Sequence, residues 1–525
     1  MLEVLLWSVS NFYSYFALSI LLLYFGKNYY NHGLDRFPGP FLARLTDLWR
    51  LIDVYGRRPD ITHIKLHKQH GDVVRLGPNT LSFANPKALR AIYGLNKGYT
   101  KSAFYPVQMA TSKGELLPSL FSSRDEGFHA NLRRSVNNAF SMTALVQYEP
   151  MVDATTELFL DQTDRLFASQ DKTCNFSRWL QFYAFDVIGS ITYSKRHGFI
   201  EKNEDIDGIV ASLARIFDYS APVGQMPSLD HAFWKNPILN LLARFGIREN
   251  SSPVAKFAVA RMKERTSKAE SRMNGNGKPR HQDQPDDLLS MFLKAQEARP
   301  DFMTDRRVLT MATSMAFAGS ETTAISLASV FYYTMKNPTC LQKLVNELKT
   351  AVANGTIENR PSGLVSWKES QMLPYLDACI KEAFRIHPAA GLPLERITPP
   401  NGAEICGQWI AGGTIVGCSA WVIHRRPEVF GEDVDAYRPE RWLDSDPEKV
   451  KEMNATMFHF GAGARTCIGK NISLMEVYKL VPSFLRRFEV FFDNPSDSWT
   501  LHNAWFVRQL NFNVRFKAKK PDELN

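Results

Sequence analysis

Residues 460–469, Phe-Gly-Ala-Gly-Ala-Arg-Thr-Cys-Ile-Gly, constrain this chain more than any other stretch. Three glycines in ten residues let the backbone pass close to something flat or bulky, because glycine carries no Cβ. Arg465 stands two residues from Cys467, and Phe460, Ala462 and Ile468 supply apolar surroundings. A cysteine thiolate is a soft ligand suited to iron. A neighbouring cation and backbone N–H groups lower a thiol's pKa and keep it anionic. Read alone, the loop is equally compatible with a buried structural cysteine in a glycine turn.

Composition narrows the context. Of 525 residues, 44% are hydrophobic and 22% charged, values ordinary for a globular protein. They exclude a disordered chain, a collagen and a multi-span membrane protein. The net charge of +9 is mild for this length. It suits an anionic membrane or an acidic partner and is too diffuse to argue for nucleic acid. The six cysteines, Cys174, Cys340, Cys379, Cys406, Cys418 and Cys467, contain no C-x-x-C pair. That spacing disfavours a disulfide scaffold, a zinc ribbon and covalent haem attachment, and points to a reducing compartment.

Along the chain, residues 4–25 are 22 positions without a formal charge, about the length that spans a bilayer core. Glu3 stands where a signal peptide would be basic, and no small-residue cleavage site follows. The expectation is an uncleaved transmembrane anchor, with Lys27, Arg36 and Arg44 holding the remainder on the cytosolic side. Pro38 and Pro40 make residues 26–45 a stiff, proline-rich hinge. Residues 46–525 form the body. Helical patterning dominates there, with a hairpin expected over residues 72–84, a flexible connection over 265–287, a helix restarting at Asp286-Asp287, a long helix over 305–335 and a strand over 510–516. The fold class is mainly α with minor β-sheet. Sequons at Asn175 and Asn471 are read as chance in a cytosol-facing body.

The decapeptide resembles the haem-binding loop F-x-x-G-x-R-x-C-x-G of the cytochrome P-450 family at Phe460, Gly463, Arg465, Cys467 and Gly469. Every fixed position is present, and three further segments resemble family motifs in the expected order. Ala318-Gly319-Ser320-Glu321-Thr322 resembles A-G-x-D/E-T. Glu382-Ala383-Phe384-Arg385 resembles E-x-x-R. Residues 437–442 resemble the P-E-R-F region, with Trp442 in place of phenylalanine. The likeness covers roughly residues 35–520 and is closest in flavour to microsomal, fungal enzymes of specialised metabolism, similar to pisatin demethylase.

What the resemblance implies is specific. Cys467 is the thiolate ligand of haem iron. Glu382, Arg385 and Arg441 form a buried charge triad under the loop. Glu321 and Thr322 manage protons for O2 activation. His129, Arg133, Arg396 and Arg465 hold the haem propionates. The implied reaction is monooxygenation of a small apolar substrate, hydroxylation or oxidative demethylation. Electrons come from an NADPH-dependent reductase docking on a basic face that includes Arg134, Lys470 and Lys451. The implied location is the endoplasmic reticulum membrane, single-pass, with a cytosolic catalytic body. Pocket walls are expected from residues 104–120, the helix before Gly319, residues 389–394 and residues 503–506. A haem-thiolate isomerase working without reductase and a non-enzymatic membrane-anchored haem protein are the alternatives, and neither needs the Glu321–Thr322 pair.

Overall fold

One helix, Asp305–Lys336, organises the molecule. Its 32 residues extend ~48 Å at the α-helical rise. Thr304 precedes it in extended conformation, Asp305 complements the positive end of its dipole and Lys336 the negative end. Asn337 precedes Pro338 and is pushed out of helical space, which stops the helix. It is buried along most of its length, as expected of a helix that is apolar on more than one face. The computed structural model describes residues 2–112, 114–247, 253–273, 287–496 and 498–520, the side chains of 2–11 and 266–273 apart.

Around this helix pack Phe176–Tyr193, Pro374–Ile386 and Lys470–Arg487. Gly319 sits where a Cβ would lie 3.0–3.1 Å from the Ile188 side chain, so the absent methyl lets helix Phe176–Tyr193 approach closely. Hydroxyls fold back onto the helix backbone repeatedly: Thr310 donates to Arg306 O, Ser314 to Thr310 O, Ser320 to Ala316 O, Thr322 to Ala318 O and Ser326 to Thr322 O. Such bonds offer the carbonyls a second partner and loosen the helical ladder.

The sheets are small. Val73–Gly77 and Thr80–Phe83 form the expected hairpin, paired antiparallel from Val73 opposite Phe83. Ile415–Gly417 joins Thr80–Phe83 in parallel, and Arg396–Ile397 and Thr100–Lys101 complete five strands. A second hairpin, Thr500–Ala504 with Phe506–Leu510, turns at Trp505, whose φ is 77°. The hinge docks on the first sheet: Arg75 N–H donates to Pro38 O, and the Arg75 guanidinium donates to Asn28 O, Tyr29 O and Pro78 O.

Three expectations need correcting or restricting. Residues 510–516 are not one strand. Asn511 adopts φ 63°, a left-handed conformation that breaks the ladder. Leu510 ends one hairpin, and Asn513–Ala518 pairs instead with Phe488–Phe492 and Cys174–Asn175. The expected anchor is a helix, Leu2–Tyr30, yet no helix among the described residues is long and apolar enough to cross a membrane. Serines and tyrosines interrupt its apolar residues. The one-pass span is therefore not established, although Phe12, Phe16, Leu18 and Leu21–Leu23 stand exposed. The expected connection lies largely outside the described residues, at 274–286, and residues 265–273 continue the helix Pro253–Met273. The next helix, Leu288–Ala298, starts as expected, with the Asp287 carboxylate accepting from Ser290 N–H. Both sequon asparagines have structural partners: Asn175 caps a helix by accepting from Arg178 N–H, and Asn471 donates to Phe140 O.

Candidate active site

The cysteine loop closes on itself. Cys467 N–H donates to Phe460 O at 2.9 Å, the Thr466 hydroxyl donates to the same carbonyl at 3.3 Å, and Thr466 N–H donates to Gly463 O at 3.1 Å. Gly463 has φ 66°, and a Cβ there would sit 1.8 Å from Tyr93 O. Close approach of another backbone, as well as the left-handed conformation, therefore demands glycine at this position. Gly469 caps the following helix. The N–H groups of Gly469 and Lys470 hydrogen-bond the Cys467 sulfur. Burial of the thiol pushes its pKa up, while these N–H groups, Arg133 and Lys470 pull it down. Cys467 nonetheless keeps an exposed face, and a metal bonded there removes the proton outright.

Beside the loop lies a cleft of about 730 Å³ lined by His129, Arg133, Arg396, Gly463 and Arg465. Arg465 forms a two-point pair with Glu126 at 2.7 and 3.0 Å and also donates to Leu120 O. Arg133 donates to Thr466 O at 2.8 Å, so it braces the cysteine loop as well as lining the cleft. Arg396 donates to the Tyr105 hydroxyl and to Glu395 O. Lys101, opposite Arg396 in the strand pairing, joins this group. Burial, then Arg396 and Arg465, push the Lys101 pKa far down. His129 is lowered to about 3 by burial, then by Arg465, Lys101, Arg133 and Arg396. Cations crowded this way destabilise one another until an anion joins them. A soft thiolate at a glycine loop and a cationic cleft for carboxylates together fit haem. Lys101 and Glu126 escaped the sequence reading, because a lone lysine in a two-residue strand and a glutamate in a helix's first turn carry no motif.

Beneath the loop the triad is assembled as expected. Glu382 accepts from Arg385 at 2.8 and 2.9 Å and from Arg441 at 2.9 Å, and all three side chains are fully buried. Arg438 N–H and the Trp442 indole N–H add bonds at 3.0 and 2.9 Å. Burial opposes the Glu382 charge, but the bond to Arg385 and the two guanidinium charges hold its pKa below the ordinary carboxylate value. Arg385 carries the arrangement outward, donating to His424 O, Val434 O and Ala436 O. His424 then links triad to loop. Its Nδ1 bonds Arg385 O and its Nε2 accepts from Phe458 N–H at 2.7 Å, which sets the tautomer. Phe458 lies two residues before Phe460. His424 was missed because its role joins three separate segments, its own and those of Arg385 and Phe458.

Glu321 and Thr322 diverge. Consecutive helical residues project ~100° apart. The Thr322 hydroxyl donates to Ala318 O at 2.7 Å, and Ala318 is exposed on the wall of an apolar cavity. Glu321 turns instead toward Gln181, which donates to it, and lies 3.8 Å from Arg508 Nε. Arg508 also pairs with Asp218 at 2.8 Å, as does His502 at 2.7 Å. Burial raises the Glu321 pKa, and Arg508 and Gln181 partly offset that. Gln181, Asp218, His502 and Arg508 lie on four other elements, so no local spacing could reveal them.

Of the expected pocket walls, residues 104–120, the central helix before Gly319 and Phe506 line one cavity of about 110 Å³. Among the expected docking cations, Arg134 and Lys470 are exposed beside the loop, whereas Lys451 is paired with Glu448 at 3.3 Å.

Comparison with known proteins agrees with this geometry. The family model described as Cytochrome P-450 matches residues 39–515. Cytochrome P-450 monooxygenase cicH of Emericella nidulans is 42% identical over 506 residues, covering 96% of this chain and 97% of the relative. A cytochrome P-450 monooxygenase of Aspergillus terreus is 41% identical over 463 residues, covering 87% and 90%. Monooxygenase pkfB of Emericella nidulans is 36% identical over 509 residues, covering 97% and 95%. This chain belongs to the cytochrome P-450 family, and haem is its cofactor.

Proposed function

We propose that this protein is an NADPH- and O2-dependent monooxygenase that hydroxylates, or oxidatively demethylates, a small apolar substrate of fungal specialised metabolism. The observation that carries the reading is Cys467, with an open face, two backbone N–H groups on its sulfur and a cationic cleft beside it. Haem held by Cys467 supplies the redox chemistry that activates O2, and the thiolate favours O–O cleavage. Arg133, Arg396, Arg465 and His129 orient its carboxylates. Glu382, Arg385, Arg441 and, through it all, His424 keep the loop in place.

Proton handling falls to the central helix. Thr322 holds its hydroxyl on the carbonyl of Ala318, a residue of the cavity wall. Glu321 offers a buried carboxyl whose pKa burial raises, against the lowering effect of Arg508 and Gln181. Asp218 and Arg508 connect that carboxyl to partly exposed polar groups near His502. Electrons come from a flavoprotein reductase docking where Arg134 and Lys470 stand. Membrane attachment uses the N-terminal helix with the exposed Phe233, Trp234, Ile238 and Leu241, and places the body on the cytosolic face of the endoplasmic reticulum.

The test is turnover of the purified holoenzyme with reductase, NADPH and isotopically labelled O2 on a panel of small apolar ring compounds. A hydroxylated product should carry one labelled oxygen, and a demethylated product should appear with one formaldehyde per methyl group lost. Hydroxylated product without label, demethylation without formaldehyde, or product formed without NADPH overturns the reading. Cys467→Ala should abolish the thiolate-type carbon monoxide difference band; a variant that keeps it removes Cys467 as the ligand.

A further inference from the structure

The cavity beside Ala318 is walled by four aromatic rings, Phe121, Phe217, Phe317 and Phe506. Phe217 meets Phe317 and Phe506 edge-on, with centroids 5.4 and 5.0 Å apart. Such a wall takes a flat, apolar ring system. Two polar groups break it. Gln108 and Thr313 both line the cavity, with 9% and 3% of their surface exposed. Neither the Gln108 amide nitrogen nor the Thr313 hydroxyl has a protein partner.

Neighbouring polar groups show that this is selective. Thr310 and Ser314 line the same cavity, but both hydroxyls are committed to helix carbonyls at 2.8 and 2.7 Å. Ser119 is bonded to Ser122. Buried polar groups are nearly always paired in folded proteins, so an unpaired one that faces a cavity is free to bond a ligand or water held there. Gln108 is also held in place. Lys235, itself buried and paired with Asp230 at 2.8 Å, donates to Pro106 O and Val107 O, immediately before Gln108. Thr313 stands on the central helix, five residues and ~7.5 Å along the axis from Ala318.

Resting on the reading that this cavity receives the substrate, we propose that Gln108 and Thr313 recognise a carbonyl oxygen on an apolar ring substrate. Both groups donate to that oxygen and leave the far side of the ring toward Thr322. The substrate class is therefore a ring ketone, quinone or lactone rather than a plain hydrocarbon.

Calorimetric titration of the haem-loaded full chain tests this with three matched pairs: tetralone and tetralin, fluorenone and fluorene, anthrone and dihydroanthracene. Wild type should bind ketones about 10-fold or more tightly than their hydrocarbons. Gln108→Leu and Thr313→Val should each weaken ketone binding by about 5- to 100-fold and change hydrocarbon binding less than about 2-fold. Thr313→Ser should restore most of the loss. Should Thr313→Val fail to load haem, Gln108→Leu makes the same comparison. No ketone preference in any pair, undetectable binding included, overturns the proposal, as does equal weakening of both members. Binding needs no turnover, so this outcome is independent of the labelled-oxygen result.

Discussion

Trp442→Phe isolates one hydrogen bond in the triad. Phenylalanine is the residue the family motif carries at this place, so the ring is tolerated. What is lost is the indole N–H on Glu382 Oε2, at 2.9 Å. That oxygen keeps only Arg385 Nε among the bonds described, whereas Oε1 retains Arg385, Arg441 and Arg438 N–H. A hydrogen bond to a buried charge is worth about 1.5–3 kcal/mol. Unfolding entropy for 525 residues is roughly 1.1 kcal/mol/K near the midpoint. A loss of ~2 kcal/mol therefore lowers the melting midpoint by only ~2 °C, and denaturant titration followed by circular dichroism and haem absorbance is the sharper assay. The acid limb has a definite sign. Glu382 has a depressed pKa in the fold. Its stabilisation is complete above the unfolded carboxylate pKa and is lost as pH falls through the folded value. Removing a donor raises the folded value, so acid-induced haem loss should begin at higher pH in the variant. Glu382→Gln should cost about 3–5 kcal/mol, because it takes the carboxylate from buried Arg385 and leaves Arg441 with Asp433 alone. In that background Trp442→Phe should cost at least ~1 kcal/mol less than in wild type. Unchanged midpoints, or strict additivity, refute the assigned bond.

Three further outcomes follow from the geometry. Thr322→Val removes the hydroxyl bonded to Ala318 O, and product formation per NADPH should fall while hydrogen peroxide rises. General acid assistance is worth about 10²–10⁴-fold in rate, and unchanged coupling with intact haem would exclude the relay. Gly463→Ala puts a methyl 1.8 Å from Tyr93 O at a φ of 66°; conformational strain alone costs about 1–3 kcal/mol, so haem occupancy at elevated temperature should drop, and wild-type occupancy argues against the close approach. Deleting residues 1–30 should release much of the protein from membranes, with Phe233→Ser and Trp234→Ser releasing more. A truncated chain that sediments entirely with membranes assigns attachment to the body alone.

Local chemistry was legible from residue order. The cysteine loop is ten consecutive residues, and the bonds that close it on itself join Phe460, Gly463, Thr466 and Cys467. Glu382 and Arg385 share a helix face by spacing. The central helix was bounded within a residue, because its acidic start and Asn337-Pro338 stop are sequence signals. Strand extent was not legible. Alternation over residues 510–516 continues through Asn511, and only a left-handed turn there decides that two different sheets share the stretch.

Residue order marks the candidates for the chemistry, and packing between distant segments sets what each of them touches. Glu321 was identified as an acid beside a hydroxyl, but its partners Gln181 and Arg508 stand 140 and 187 positions away, so the direction it faces is a packing outcome. Trp442 read as a departure from the motif and proves to be a fifth donor to Glu382. Gln108 and Thr313 carry no motif, and they become a pair only because the fold places both in one cavity and leaves each without a protein partner. Motifs record bonds between near neighbours, which the chain's own geometry nearly dictates. Burial and hydrogen bonding between distant segments depend on how helices pack, and that is set by the whole core at once.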